Sequence, residues 1–149
     1  MARVQIELPG HFEFATDIAV RIGDINYGGH LGHDSIISLI HEGRVRFLQA
    51  YGYAESDIDG FGLIVSDLAI VYKTEAFYGE RLTIEVGAQE FTKYGLDLVY
   101  RVSNKETGKE VARAKTGIVI FDYGRRKVAS LPERFKAALA SKQLERADP

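Results

Sequence analysis

Between Gly23 and Arg44 the chain gathers side chains that can move protons around a point where backbone donors are free. The run Gly23-Asp24-Ile25-Asn26-Tyr27-Gly28-Gly29-His30-Leu31-Gly32-His33-Asp34 holds four glycines, two histidines, two acids and an asparagine. Glycines let backbone approach a ligand closely. A helical pattern opens directly afterwards, and the first turn of a helix carries N–H groups with no internal partner, at the positive end of its dipole. Asp24, Asp34, His30 and His33 are groups that accept or give protons. Glu42 follows inside the helix, where an acid must be paired, exposed or functional.

These residues need elements to position them. Phe12 to Ile22 reads as a strand with Phe14, Thr16, Ile18 and Val20 on one face. From Asp34 to Tyr51 the period becomes helical. Ile36, Ile40, Gly43, Phe47 and Tyr51 form one stripe, widened by Ile37 and Leu48. Asp34 or Ser35 caps the start, and Gly52 is placed to end it. The second half is strand. Leu63 to Thr74 is apolar-rich, interrupted by Ser66 and Asp67. Leu82, Ile84, Val86 and Ala88 alternate with Arg81, Thr83, Glu85 and Gly87, the mark of a sheet with one buried face. Leu96, Leu98, Tyr100 and Val102 repeat that pattern, and Val111 to Phe121 is the last long strand. Gly-containing turns around Gly79, Gly95, Gly108 and Gly124 separate them. A short helix is expected from Pro132 to Gln143, started by its proline. The order predicts an α+β fold in which a curved antiparallel sheet of five strands wraps a long central helix that is apolar on most sides.

Bulk properties narrow the function. The 149 residues suit one domain, 1–149, and 46% apolar content is enough for a core. A net charge of -2 gives no footprint for nucleic acid. The absence of cysteine removes disulfides, thiolate nucleophiles and cysteine-bound metals. No apolar run is long enough to cross a bilayer, and the amino terminus lacks a secretory leader, so a cytoplasmic protein without a membrane partner is expected. His30-x-x-His33 is a pair without further ligands, and His11 and His41 lack a matching spacing, so no metal is expected. The glycine loop lacks the Lys-Ser/Thr ending of a P-loop.

The order of elements and the motifs together resemble the hotdog-fold thioesterases of the 4-hydroxybenzoyl-CoA thioesterase type, from Phe12 to about Ala138. That family carries Asp-x-Asp-x-x-Gly-His-Val-Asn-Asn before the helix and Glu-x-Arg within it. Asp24-Ile25-Asn26-Tyr27-Gly28-Gly29-His30-Leu31 and Glu42-Gly43-Arg44 match in spacing. Tyr72 to Ile84 is similar to the passage through a Gly-acid turn between two strands, and Ser130-Leu131-Pro132-Glu133 to the entry into the tail. The resemblance implies an acyl-CoA thioesterase without cofactor, working as a homodimer or a dimer of dimers whose acyl-thioester site is shared between subunits.

The most important departure from the family is at Asn26. The second aspartate of the motif, its usual base or nucleophile, is Asn26 here, and an amide can do neither job. Gly32-His33 replaces the paired asparagines, and Asp34 adds an acid. Hydrolysis needs an oxyanion hole, expected from backbone around Gly32 and His33, with Gly29 in the adjoining loop. It also needs a base, expected from Asp34 or Asp24, with Asn26 and His30 positioning. The alternatives are that Asp24 ties the loop down, that Asp34 serves only as cap, and that Asn26 bonds to its own turn. Glu42 is a second choice of acid, on a helix that carries it in other hotdog branches, or else forms an ion pair with the sheet. Ser66 lies on the strand that flanks the partner's site in the family, which implies a substrate-binding contact with the thioester; the alternative is an ordinary outward residue. Arg125, Arg126 and Lys127 are the basic cluster available to CoA phosphates. The rivals are a hotdog hydratase or dehydratase using Asp24 and His30, and a non-catalytic acyl-thioester-binding protein, which Asn26 favours.

Overall fold

A 3₁₀ turn and a hairpin, rather than one smooth connection, carry the chain from its first strand to its main helix. The computed structural model describes residues 2–141. Strand β1 is Phe14–Ala19, followed by the 3₁₀ turn Ile22–Asp24 and helix α1 at Ser35–Ala50. Strands β2 (Gly62–Tyr72), β3 (Arg81–Gln89), β4 (Gly95–Asn104), β5 (Glu110–Asp122) and β6 (Lys127–Val128) follow, then helix α2 at Glu133–Ala140. The expected reach of that last helix to Gln143 lies outside the described residues.

All pairings are antiparallel, in the order β1-β3-β4-β5-β2, with β6 on the end of β5. The sheet thus has six strands and not five. The extra one is two exposed residues long, too short to show a period. Register breaks bend the sheet at Val65/Asp67 in β2 and beside Val102/Ser103 in β4. Leu82, Ile84, Val86, Leu98, Tyr100 and Val102 face inward and are buried, as their alternation demands.

Helix α1 lies across that face. Ile36, Leu39, Ile40, Gly43, Phe47 and Leu48 are buried, and Gly43 sets the closeness of approach, since a Cβ there would stand 2.9 Å from Ile84 Cγ2. The helix is not apolar on most sides: Ile37, Ser38, His41, Glu42 and Gln49 are exposed. Ile37 therefore leaves the stripe, because a single sheet reaches only one side of a cylinder. One charged side chain of α1 is buried with this face. Arg44 is 7% exposed, with Glu55 at 3.6 Å and the Tyr100 hydroxyl, itself bonded to Thr116, at 3.4 Å. Gly52, at φ 84°, ends the helix in the left-handed region.

Candidate active site

The chain before α1 is built as a hairpin whose two ends are pinned. Ile25 bridges to Leu31, Asn26 N–H donates to His30 O (2.9 Å), and Gly29 N–H donates to Asn26 O (3.1 Å). Gly29 takes φ 85°, which a three-residue hairpin loop requires. Asn26 Oδ1 accepts from Gly28 N–H at 3.0 Å, closing the turn with its own side chain. Asp24 is 5% exposed, and its carboxylate accepts from Arg21 N–H (2.8 Å) and faces the Arg21 guanidinium (3.5 Å). Its backbone oxygen accepts from Gly32 N–H at 2.9 Å, and Leu31 N–H donates to Ala76 O at 2.8 Å. The side chains of Asp24 and Asn26 are thus bonded within the loop.

Asp34 is the N-cap of α1, its Oδ1 accepting from Ser35 N–H at 3.0 Å. Gly32 makes room for that carboxylate: a Cβ would lie 2.7 Å from Oδ1. Ile36 N–H reaches Gly32 O and Ile37 N–H reaches Asp34 O, both at 3.2 Å. Gly32 N–H is spent on Asp24, so it is closed to a ligand. The N–H groups of His33 and Asp34 have no hydrogen-bond partner among the described residues.

Beside these donors lies a cleft of about 260 Å³ with mainly apolar walls from Leu31, Ile36, Tyr72 and Val111. His30, Gly32, His33 and Glu75 also line it. The His30 ring bonds through Nδ1 to Leu31 O (3.1 Å), while Nε2 stands 3.9 Å from Glu75 Oε1. A carbonyl can only accept, so Nδ1 carries the proton there and a neutral ring keeps its lone pair on Nε2. Gly28 leaves space for that ring, since a Cβ would sit 3.2 Å from Nε2. Tyr72 donates its hydroxyl proton to His33 O at 2.7 Å. Burial, then the nearby Asp34 carboxylate, hold this hydroxyl above its ordinary value, so it remains a donor.

Of the residues singled out in the sequence, His30, Gly32, His33 and the capping Asp34 come together at the helix tip. Gly29 and Asn26 shape the hairpin. Glu42 is on the exposed side of α1, paired with Arg46 at 3.4 Å on its own helix instead of with the sheet. Ser66 sits at the β2 bulge and donates to Gly117 O at 3.2 Å. Arg125, Arg126 and Lys127 are exposed at the β5–β6 turn. Tyr72 and Glu75 went unnoticed. Both fall within the Tyr72–Ile84 passage whose family likeness suggested only a connection, and nothing in their spacing shows that β2 ends against the helix tip.

Among the described residues no group of three or more His, Asp or Glu is placed to hold a metal ion, and no helix is long and apolar enough to cross a membrane.

Comparison with known proteins agrees with this architecture. A search of curated proteins finds no match. Among solved structures, a 1,4-dihydroxy-2-naphthoyl-CoA thioesterase from Synechocystis superposes with a TM-score of 0.78 at 22% identity, over 85% of this chain and 95% of that one. A thioesterase-superfamily protein from Jannaschia gives 0.81 at 17% identity, over 90% and 85%. A DHNA-CoA thioesterase from Staphylococcus aureus gives 0.77 at 19%, over 85% and 88%. At these identities the likeness is one of fold, and the fold is the hotdog. Residues 20–139 match the model of the thioesterase-like superfamily, and the chain therefore belongs to that superfamily.

Proposed function

We propose that this chain is an acyl-CoA thioesterase, one hotdog domain that hydrolyses the thioester by water attack at the tip of α1. The observation that carries the reading is the meeting, along one apolar-walled cleft, of His33, whose N–H has no partner among the described residues, and the His30 imidazole, whose Nδ1 is held by a carbonyl. The His33 N–H, with the helix dipole behind it, is the donor for the carbonyl oxygen as it gains charge. His30 Nε2 takes a proton from water as the water oxygen bonds to the carbonyl carbon. Glu75 stabilises the imidazolium that results. Collapse of the tetrahedral adduct breaks the C–S bond, and the leaving sulfur recovers the proton from Nε2. The products are free thiol and carboxylic acid. Asp34 holds the helix start, and Asp24 and Asn26 hold the loop.

A second copy of the chain completes the site in this reading. Strand β2 ends the sheet, its outer side pairs with no other strand among the described residues, and Ile64, Val65 and Leu68 are exposed along it. Such an edge calls for a covering partner. The exposed side of α1, with Ile37, adds a second surface for a dimer or a dimer of dimers.

The non-catalytic rival rests on one observation: Asn26 stands at the family's acidic position and its amide is occupied by Gly28 N–H. The hydratase or dehydratase rival needs Asp24 to converge with His30, whereas the Asp24 carboxylate is bound to Arg21.

A panel of acyl-CoA substrates, followed by release of free thiol, tests the proposal. Turnover by the native protein and a loss of about 10²- to 10⁴-fold in kcat for His30→Gln are expected. Tight binding without thiol release would establish the binding protein instead. A large gain of hydrolysis in Asn26→Asp would show that the native chain lacks a working base.

A further inference from the structure

Tyr72 occupies an unusual place for the last residue of a strand. It pairs with Ala112 of β5 through its backbone, while its side chain crosses to the loop ahead of α1. The bond it makes is short, 2.7 Å from hydroxyl to His33 O. In a regular helix start that carbonyl would accept from the residue four places on, Ile37. Ile37 N–H bonds instead to Asp34 O, so the His33 carbonyl is left to Tyr72.

The consequence follows from peptide geometry. The peptide joining His33 to Asp34 is planar and trans, so fixing its C=O on Tyr72 fixes the whole peptide plane and turns Asp34 N–H to the opposite side. The same bond restricts rotation about the His33 backbone, whose own N–H is the free donor of a residue that lines the cleft. We propose that Tyr72 is a positioning residue, whose hydroxyl, bound to His33 O, holds the His33 backbone and with it the open His33 N–H beside the cleft in the orientation that receives the thioester oxygen. This rests on the thioesterase reading above and deepens it. It also ties the strand that bears the free sheet edge to the donor, so the ring serves as cleft wall and the hydroxyl as an anchor.

The separating variants are Tyr72→Phe, which keeps the ring and removes the hydroxyl, and Tyr72→Leu, which removes both. For Tyr72→Phe the expected result is a fall in kcat on the order of ten- to a hundredfold with KM little changed, since a donor is misdirected and no wall is lost. Tyr72→Leu raises KM as well. Independently of turnover, amide NMR of the full chain reports the anchor: in Tyr72→Phe the His33 and Asp34 resonances shift, while those of β4 stay in place. If the native protein turns over and Tyr72→Phe matches it in kcat, the inference is overturned. If the native protein releases no thiol, the thioesterase reading falls on its own, and the amide signals still decide the anchor: unchanged His33 and Asp34 resonances refute it.

Discussion

Gly32→Ala is the substitution whose effect can be worked out most fully. Gly32 is not in the left-handed region, so alanine is allowed there by the backbone. The obstacle is the Asp34 carboxylate, 2.7 Å from the added Cβ, with Asn26 Cβ and Ser35 Oγ at a comfortable 3.6 Å. A carboxylate is the far end of a short side chain, so it is what moves, and Ser35 N–H loses its acceptor. Loss of an N-cap costs about 1 kcal/mol, within a range of about 0.5–2. Against this, replacing glycine restricts the unfolded chain and returns about 0.4–1 kcal/mol. In the native background the two nearly cancel or leave a small loss. In an Asp34→Ala background there is no cap to lose, and the same change stabilises by about 0.4–1 kcal/mol. The two backgrounds should therefore differ by about 1 kcal/mol, the coupling expected of residues in contact. Equilibrium urea denaturation of the four proteins at one concentration measures it. Equal effects of Gly32→Ala in both backgrounds would show that Gly32 is not there to admit the cap.

Two further perturbations probe the frame and its charges. In Gly43→Ala the new methyl meets Ile84, which is fully buried, so overpacking of about 1–3 kcal/mol outweighs a helix-propensity gain of about 1 kcal/mol, and a thermal midpoint above that of the native protein would contradict the packing described. Asp17 is held below the ordinary carboxylate value of 3.8 first by its bond to Lys105, then by Thr83, and Asp67 first by Lys115 and also by Gly117 N–H. A lowered folded value means that their stabilisation is complete above that ordinary value and is lost as pH falls through the lower folded ones. Denaturation midpoints between about pH 6 and about pH 3 should fall less steeply in Asp17→Asn and Asp67→Asn than in the native protein, and identical slopes would show that neither pair is formed.

Much of the fold is legible in the residues because short-range rules dictate it. Alternation at Leu82, Ile84 and Val86 and again at Leu98, Tyr100 and Val102 has one solution, a sheet with a single buried face. The 3.6 period from Ile36 to Phe47, with an acid before it and Gly52 after it, has one solution as well. The turn chemistry is also local: Asn26-Tyr27-Gly28-Gly29 closes on its own atoms, and Gly32 admits a carboxylate two residues away. The strand of two residues at Lys127 and the exposed side of α1 escaped, the first because it is too short for a period, the second because periodicity cannot count how many layers cover a helix.

The amino-acid sequence by itself determined which elements form, where the helix begins, and that histidines, acids and glycines collect at that point, since propensity, capping and periodicity act between near neighbours. Only the tertiary structure decided which of them face a common space. Asp24 turned toward Arg21 and Asn26 toward Gly28, while the end of β2, far along the chain, brought Tyr72 to His33 and the segment after it brought Glu75 to His30. The first two contacts are local, but the meetings of Tyr72 with His33 and of Glu75 with His30 depend on sheet order and helix approach, set by burial of the whole core, and no spacing within a single segment encodes them.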